Sequence, residues 1–255
     1  MRLLNDEAWV LETRELGEAD LIVALFCREH GSVRGVARAA RKSRRRFGGS
    51  LAPLTRVRLT WGEKAGRELH RIDGIECTRS FASMQREPVV QAAVAVVCEV
   101  AQALAREGQP GPREFDLIAA VAQALEAGCD PWIAVRYLEY WMLRLHGVLP
   151  DFDRCASCGR ELGRRPVARV DLHGIVRCRE CAGGRVGERV HLLRDVERAL
   201  LGEFRSCAPL AVTGDARLAG PSGTLDVLLR GSLEAFVERR FRSYRHLRAL
   251  ASDRR

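Results

Sequence analysis

The sequence predicts a multidomain α+β chain. A small N-terminal β-barrel precedes a larger α-helical region, and a cysteine-rich metal module is inserted in the helices. Three observations predict this. Five short strand-like segments crowd the first eighty residues. The hydrophobic period turns helical after Pro88. The pattern C-x2-C-x19-C-x2-C sits in a polar stretch rich in Gly and Arg.

The strands are read in order. Ala8 to Glu15 alternates, with Trp9 beside Val10 and Leu11. Leu21 to Cys27 is a continuous apolar run between two turn-like segments, Gly17-Glu18-Ala19-Asp20 and Glu29-His30-Gly31. Ser32 to Ala37 has Val33 and Val36 as its apolar positions. Leu54 to Trp61 separates Val57, Leu59 and Trp61 from the less apolar set Leu54, Arg56, Arg58 and Thr60. Leu69 to Cys77 carries Leu69, Ile72 and Ile75. Five such strands suit a small closed or half-closed barrel, with an SH3-like barrel as the rival architecture.

Helices follow. Val89 to Arg106 is almost wholly apolar and stops at Gln109-Pro110-Gly111-Pro112. Arg113 to Ala127 aligns Phe115, Ile118, Ala119, Ala122 and Leu125 on one face. Asp130 is placed to cap a third helix with Pro131 at its first position, ending near Gly147. Helices resume at Leu192 to Phe204 and at Ser232 to Leu250. The segment Val89 to Ala105 is interrupted by Gln91, Glu99 and Gln102, so it reads as a buried helix and not a membrane span.

Between them, Asp151 to Gly187 holds Cys155, Cys158, Cys178 and Cys181. Two residues between cysteines let both thiolates of a tight turn face one ion, and a second turn completes a tetrahedron. The reading is one structural Zn2+, because four thiolates leave no open position for a reacting water. Two unrelated thiol pairs, or a regulatory disulfide, is the alternative. His173 is a lesser ligand candidate. The isolated cysteines Cys27, Cys77, Cys98, Cys129 and Cys207 read as small apolar fillers.

The chain has 255 residues and a net charge of +9. The stretch from His30 to Gly62 contains no acidic residue and nine basic ones: Arg34, Arg38, Arg41, Lys42, Arg44, Arg45, Arg46, Arg56 and Arg58. Outside it, basic and acidic groups balance. A localised cationic surface fits phosphate, which arginine binds through charge and a bidentate fork. A solvated face or an acidic protein partner is the plainer alternative. Phe47 stands beside these charges, either as a platform for a base or as a residue tucked into the barrel. Arg239, Arg240, Arg242, Arg245, Arg248, Arg254 and Arg255 form a second basic stretch near the end. That helix either docks by its apolar face or offers a supplementary DNA or partner surface.

Several classes are disfavoured. There is no G-x-x-x-x-G-K-[ST], no G-x-S-x-G and no H-E-x-x-H. The six histidines are scattered, and nothing assembles a nucleophile with a base, so no enzyme activity is expected. The N-terminus turns acidic at Asp6-Glu7 before any apolar core, unlike a secretory signal.

Taken in order, several segments resemble the RecO family of bacterial recombination mediators. They are Thr13-Arg14-Glu15-Leu16-Gly17-Glu18-Ala19-Asp20, Leu25-Phe26, Glu29-His30-Gly31 and Ala37-Arg38-Ala39-Ala40-Arg41-Lys42. Further along come Arg46-Phe47-Gly48-Gly49-Ser50-Leu51-Ala52-Pro53 and Leu145-His146-Gly147-Val148-Leu149-Pro150. The last are Cys155-Ala156-Ser157-Cys158-Gly159 and Arg239-Arg240-Phe241-Arg242-Ser243. The family commonly has Lys-Gly where this chain has Arg38-Ala39, Phe at the position of Leu54, and Tyr at that of Val148. The resemblance implies an N-terminal OB-fold over residues 1–80. It implies an α-helical domain over 81–255, with a zinc-binding module inserted at 151–187. It further implies binding of single- and double-stranded DNA, annealing of complementary strands, and action with RecR to load RecA onto strands coated by single-stranded DNA-binding protein (SSB). The acidic tail of SSB is the expected partner of the helical domain. Cytoplasmic location follows from such work. A zinc-ribbon RNA-binding or ribosome-associated factor is the rival reading.

Overall fold

The computed structural model describes residues 2–41, 47, 50–63, 69–81, 84, 86–162, 168–170, 173–182 and 191–252. The chain packs as two compact units, residues 1–122 with 243–255 and residues 123–242. No helix among the described residues is long and apolar enough to cross a membrane.

In the first unit, β1 (Arg2–Leu16), β2 (Asp20–Cys27), β3 (Gly31–Ala37), β4 (Arg56–Glu63) and β5 (His70–Arg79) close into a barrel of order β1-β2-β3-β5-β4. Closure rests on the long β1. Its first half pairs antiparallel with β4, Arg2 opposite Glu63 through Trp9 opposite Arg56. Its second half pairs with β2, Ala8 opposite Cys27 through Leu16 opposite Asp20. A register shift between Val10 and Glu12 bends the strand between its two partners. β3 meets β5 in parallel at Gly35–His70 and Val36–Arg71.

Inside the barrel lie Ala8, Val10, Val23, Leu25, Cys27, Val33, Ala37, Val57, Leu59, Trp61, Ile72 and Ile75. The alternation expected along β4 is observed, with Val57, Leu59 and Trp61 inward and Arg58 exposed. The continuous apolar run of β2 has a reason: its outer face is covered too. Phe26 packs against Phe115 at 6.3 Å, and Trp9 on β1 meets Phe115 at 5.4 Å while donating Nε1–H to the Phe115 carbonyl. Phe115 comes from α2 (Pro112–Glu126), which follows α1 (Pro88–Leu104). α1 packs on β1 and β2, and its Gln102 donates to Glu12. The C-terminal α7 (Tyr244–Ser252) lies along α1, anchored where the Ser243 N–H and hydroxyl donate to Glu99.

The second unit contains α3 (Pro131–Leu145), capped as expected by the Asp130 carboxylate, which accepts from the Trp132 and Ile133 N–H groups. It also holds the sheet β7-β6-β8, from β6 (Ala168–Val170), β7 (Val176–Cys178) and β8 (His191–Leu193). Then come α4 (Asp195–Ser206), α5 (Ala216–Ala219), a π-helical turn at Asp226–Arg230 and α6 (Gly231–Phe236). Two expectations need correction. Leu192 and Leu193 belong to β8, and the helix starts only at Asp195, where Glu197 accepts from the Arg194 N–H. The helix expected from Ser232 to Leu250 is broken into α6 and α7. Glu238 takes φ +54, and the Arg239 N–H reaches back to the Glu234 carbonyl, a left-handed helix stop formed without glycine.

The core of this unit is tied by a buried charge cluster. Arg136, fully buried on α3, donates to the Ala219 carbonyl at 3.0 Å, to Glu139, and to Asp226 Oδ1 at 2.7 Å. Asp226 also accepts from Arg230, which continues to Glu234.

Candidate nucleic-acid interface and metal centre

Alternation along β3 sends Val33 and Ala37 into the barrel and Arg34 outward. Arg34 and Arg38 are exposed, and their side chains have no partner among the described residues. Beyond β3 the chain lies against the β1–β2 turn. The Ala39 N–H donates to Asp20 at 2.8 Å, and the Arg41 N–H donates to the Ala19 carbonyl at 3.0 Å. Ala39 sits at φ +54, a left-handed backbone that glycine would adopt without strain. Lys42, Arg44, Arg45 and Arg46 lie outside the described residues.

Three arginines of the acid-free block are neutralised by carboxylates from other strands. Arg41 reaches Glu15 at 3.1 Å, Arg56 reaches Glu7 at 2.6 Å, and Arg58 reaches Glu76 at 3.2 Å. Arg56 also lies over the Phe115 ring at 5.3 Å. Distance along the chain concealed these partners, because antiparallel neighbours bring β1 and β5 beside β4. Of this block's arginines among the described residues, Arg34 and Arg38 are therefore the ones without a carboxylate partner there, and they lead into the basic segment. Phe47 is 4% exposed and part of the barrel core, so its base-stacking alternative falls and the tucked-in one stands.

The four cysteines come together as their spacing requires. Their Sγ atoms all lie within 4.8 Å of one another, with Cys158 and Cys178 at 3.9 Å. Each pair forms the same turn: the Gly159 N–H donates to the Cys155 carbonyl and the Ala182 N–H to the Cys178 carbonyl, both at 2.9 Å. Gly159 takes φ +70, which closes the first turn without Cβ strain. Arg160 beside one turn pairs with Glu180 in the other at 2.6 Å. Four sulfurs bound at about 2.3 Å to a tetrahedral ion would stand about 3.8 Å apart, so the donor set is compatible with a metal. Peptide N–H groups, that of Cys178 foremost, hold the Cys155 thiol down at about 6. Neighbouring thiols, led by Cys178, push Cys181 up to about 12. Crowded thiolates repel, and a bound cation relieves that repulsion. His173 is not part of this cluster.

Gly174 fastens the module to the helices. At φ +77, any Cβ there would fall 2.0 Å from Ser232 Oγ and 2.5 Å from the Leu228 carbonyl. Arg198 of α4 donates to the Phe152 carbonyl and to Asp153.

A closed five-stranded barrel followed by helices that carry a four-cysteine module defines the class of two-part α+β architecture to which the chain belongs. Comparison with known proteins narrows it. The family models "Recombination protein O N terminal" and "Recombination protein O C terminal" match residues 1–81 and 85–212. A DNA repair protein RecO from Anaeromyxobacter sp. (strain K) is 35% identical over 90% of this chain and 88% of its own. That of Myxococcus xanthus (strain DK1622) is 33% identical over 93% and 92%, and that of Koribacter versatilis (strain Ellin345) 40% over 68% and 71%. The chain belongs to the RecO family of DNA repair proteins.

Proposed function

We propose that this protein is a non-enzymatic recombination mediator. It binds single- and double-stranded DNA, anneals complementary strands and, with RecR, helps load RecA onto SSB-coated single strands. The barrel acts as an OB-fold: a five-stranded closed sheet with a parallel β3–β5 contact supports that reading. DNA is held by Arg34, Arg38, Arg41, Lys42, Arg44, Arg45, Arg46, Arg56 and Arg58, with the unpaired members leading. The carrying observation is family membership together with the exposed Arg34 on β3 and Arg38 just beyond it, which have no partner among the described residues.

Residues 1–80 serve as the DNA-binding domain, 81–255 as the helical domain and 151–187 as the zinc module. Within the first unit α1 packs on β1 and β2, and α7 packs on α1. Cys155, Cys158, Cys178 and Cys181 would hold one zinc ion, whose contribution is to fold the module. The helical domain receives the SSB tail. The work is cytoplasmic, at the nucleoid.

The mechanism is charge neutralisation. Two complementary strands repel, and arginines that hold both backbones lower that repulsion while the bases pair. Arg34, Arg38, Lys42, Arg44, Arg45 and Arg46 would neutralise about six phosphates, a log–log salt slope of about −4 on single strands. Fourfold more salt then weakens binding roughly 10²–10³-fold. The test is oligonucleotide annealing at two salt concentrations, wild type against Arg44→Ala/Arg45→Ala/Arg46→Ala. Equal annealing rates at low salt would remove the basic segment from the mechanism. Equal binding of structured RNA without annealing would favour an RNA-binding factor instead.

A further inference from the structure

We infer that the barrel unit holds nucleic acid through its phosphate backbone alone and stacks no base on an aromatic ring. The inference rests on the DNA-binding reading above and specifies its ligand chemistry: a polyanionic strand, whatever its bases.

Single-strand binders commonly add aromatic platforms to a basic groove, each stacked base contributing about 1–3 kcal/mol. Such a platform needs an exposed ring. The first unit contains seven Phe, Trp and Tyr residues: Trp9, Phe26, Phe47, Trp61, Phe81, Phe115 and Tyr244. None is more than 5% exposed. Each ring is already engaged in packing. Phe47 and Trp61 fill the barrel. Trp9 lies between Phe81 at 6.2 Å and Phe115 at 5.4 Å, and Phe115 carries the Arg28 and Arg56 guanidinium groups, each at 5.3 Å. The segments of this unit outside the described residues contain no aromatic residue in their sequence, including 42–46 and 64–68. No ring is therefore held in reserve in the basic connection. Beside β3, Arg71 of β5 stands opposite Val36 and is paired with Asp73 at 2.5 Å, while the exposed Arg34 and Arg38, with no partner among the described residues, are donors suited to phosphate. His30, the half-buried imidazole at the β2–β3 turn, is held by Asp6 at 2.8 Å.

The consequence bears on annealing. A base stacked on protein must be released before it can pair; a strand held only by phosphate presents its bases free. Affinity then follows phosphate number and salt, and is insensitive to base identity.

The experiment compares a dT oligonucleotide with one of equal length carrying abasic tetrahydrofuran residues throughout, by fluorescence anisotropy with the full-length, metal-loaded protein. It is repeated in Phe236→Ala, which removes the most exposed ring of the second unit. The expected result is equal affinity within about twofold and one common salt slope. A single stacked base would weaken abasic binding about 5- to 150-fold, and such a loss in Phe236→Ala overturns the inference while leaving DNA binding intact. Binding of neither oligonucleotide would instead overturn the DNA-binding reading on which it rests.

Discussion

Replacing Arg136 by Met tests the energetic centre of the helical unit. Arg136 is completely buried and its guanidinium meets two carboxylates, Glu139 and Asp226, that are themselves at most 1% exposed. Methionine approximates the aliphatic volume of the side chain, so cavity formation is a minor part of the effect. What is lost is compensation. Asp226 keeps Arg230 and the Ser222 N–H, whereas Glu139 loses the arginine one turn before it. Leaving a buried charge uncompensated costs about 3–5 kcal/mol. For a chain of this length that lowers Tm by roughly 10 °C. Urea denaturation followed by circular dichroism gives the free energy, and calorimetry gives Tm. Adding Glu139→Gln to the variant should recover part of the loss, because it removes a buried charge that has lost its Arg136 bond and keeps a hydrogen-bonding group. A loss below about 1 kcal/mol, far under the usual cost of an uncompensated buried charge, would refute the claim that this cluster holds α3 to the π-helical turn.

Other outcomes follow from the same geometry. Gly174→Ala should destabilise by about 2 kcal/mol in urea denaturation, since its Cβ meets backbone and hydroxyl oxygens. Ala39→Gly should stabilise by about 1 kcal/mol by relieving a left-handed backbone, read as a raised urea midpoint. Arg34→Ala/Arg38→Ala should reduce the salt slope of single-strand binding by about 1.4, while Arg56→Ala/Arg58→Ala, already paired with carboxylates, should reduce it less. Cys155→Ser should bring zinc content by plasma mass spectrometry close to zero; unchanged stoichiometry would reject the four-thiolate assignment.

Features written in neighbouring residues were legible from the chain. Val57, Leu59 and Trp61 show their shared face by a period of two, and Asp130-Pro131 announces a helix start. Each C-x2-C turn needs only its own few residues, the first with Gly159 at positive φ. The order of motifs along the chain likewise points to the family. The helix break at Glu238 was not legible, because a left-handed stop without glycine or proline leaves no compositional mark.

The sequence by itself determined the inward face of β4, the metal-ligand spacing and the regional surplus of charge, since each depends on local periodicity or simple counting. Val36 and Leu69, apolar in their predicted strands, face away from the barrel interior. Only the tertiary structure decided which arginines stay unpaired. Glu7, Glu15 and Glu76 lie outside the acid-free block, yet each comes within ion-pairing distance of one of its arginines. It also decided that Phe47 belongs to the barrel and that Arg136 finds Asp226 ninety residues away. Coulomb interactions and packing act through space over a few ångströms, whereas sequence orders residues along a contour. Closing a sheet into a barrel makes those two distances diverge.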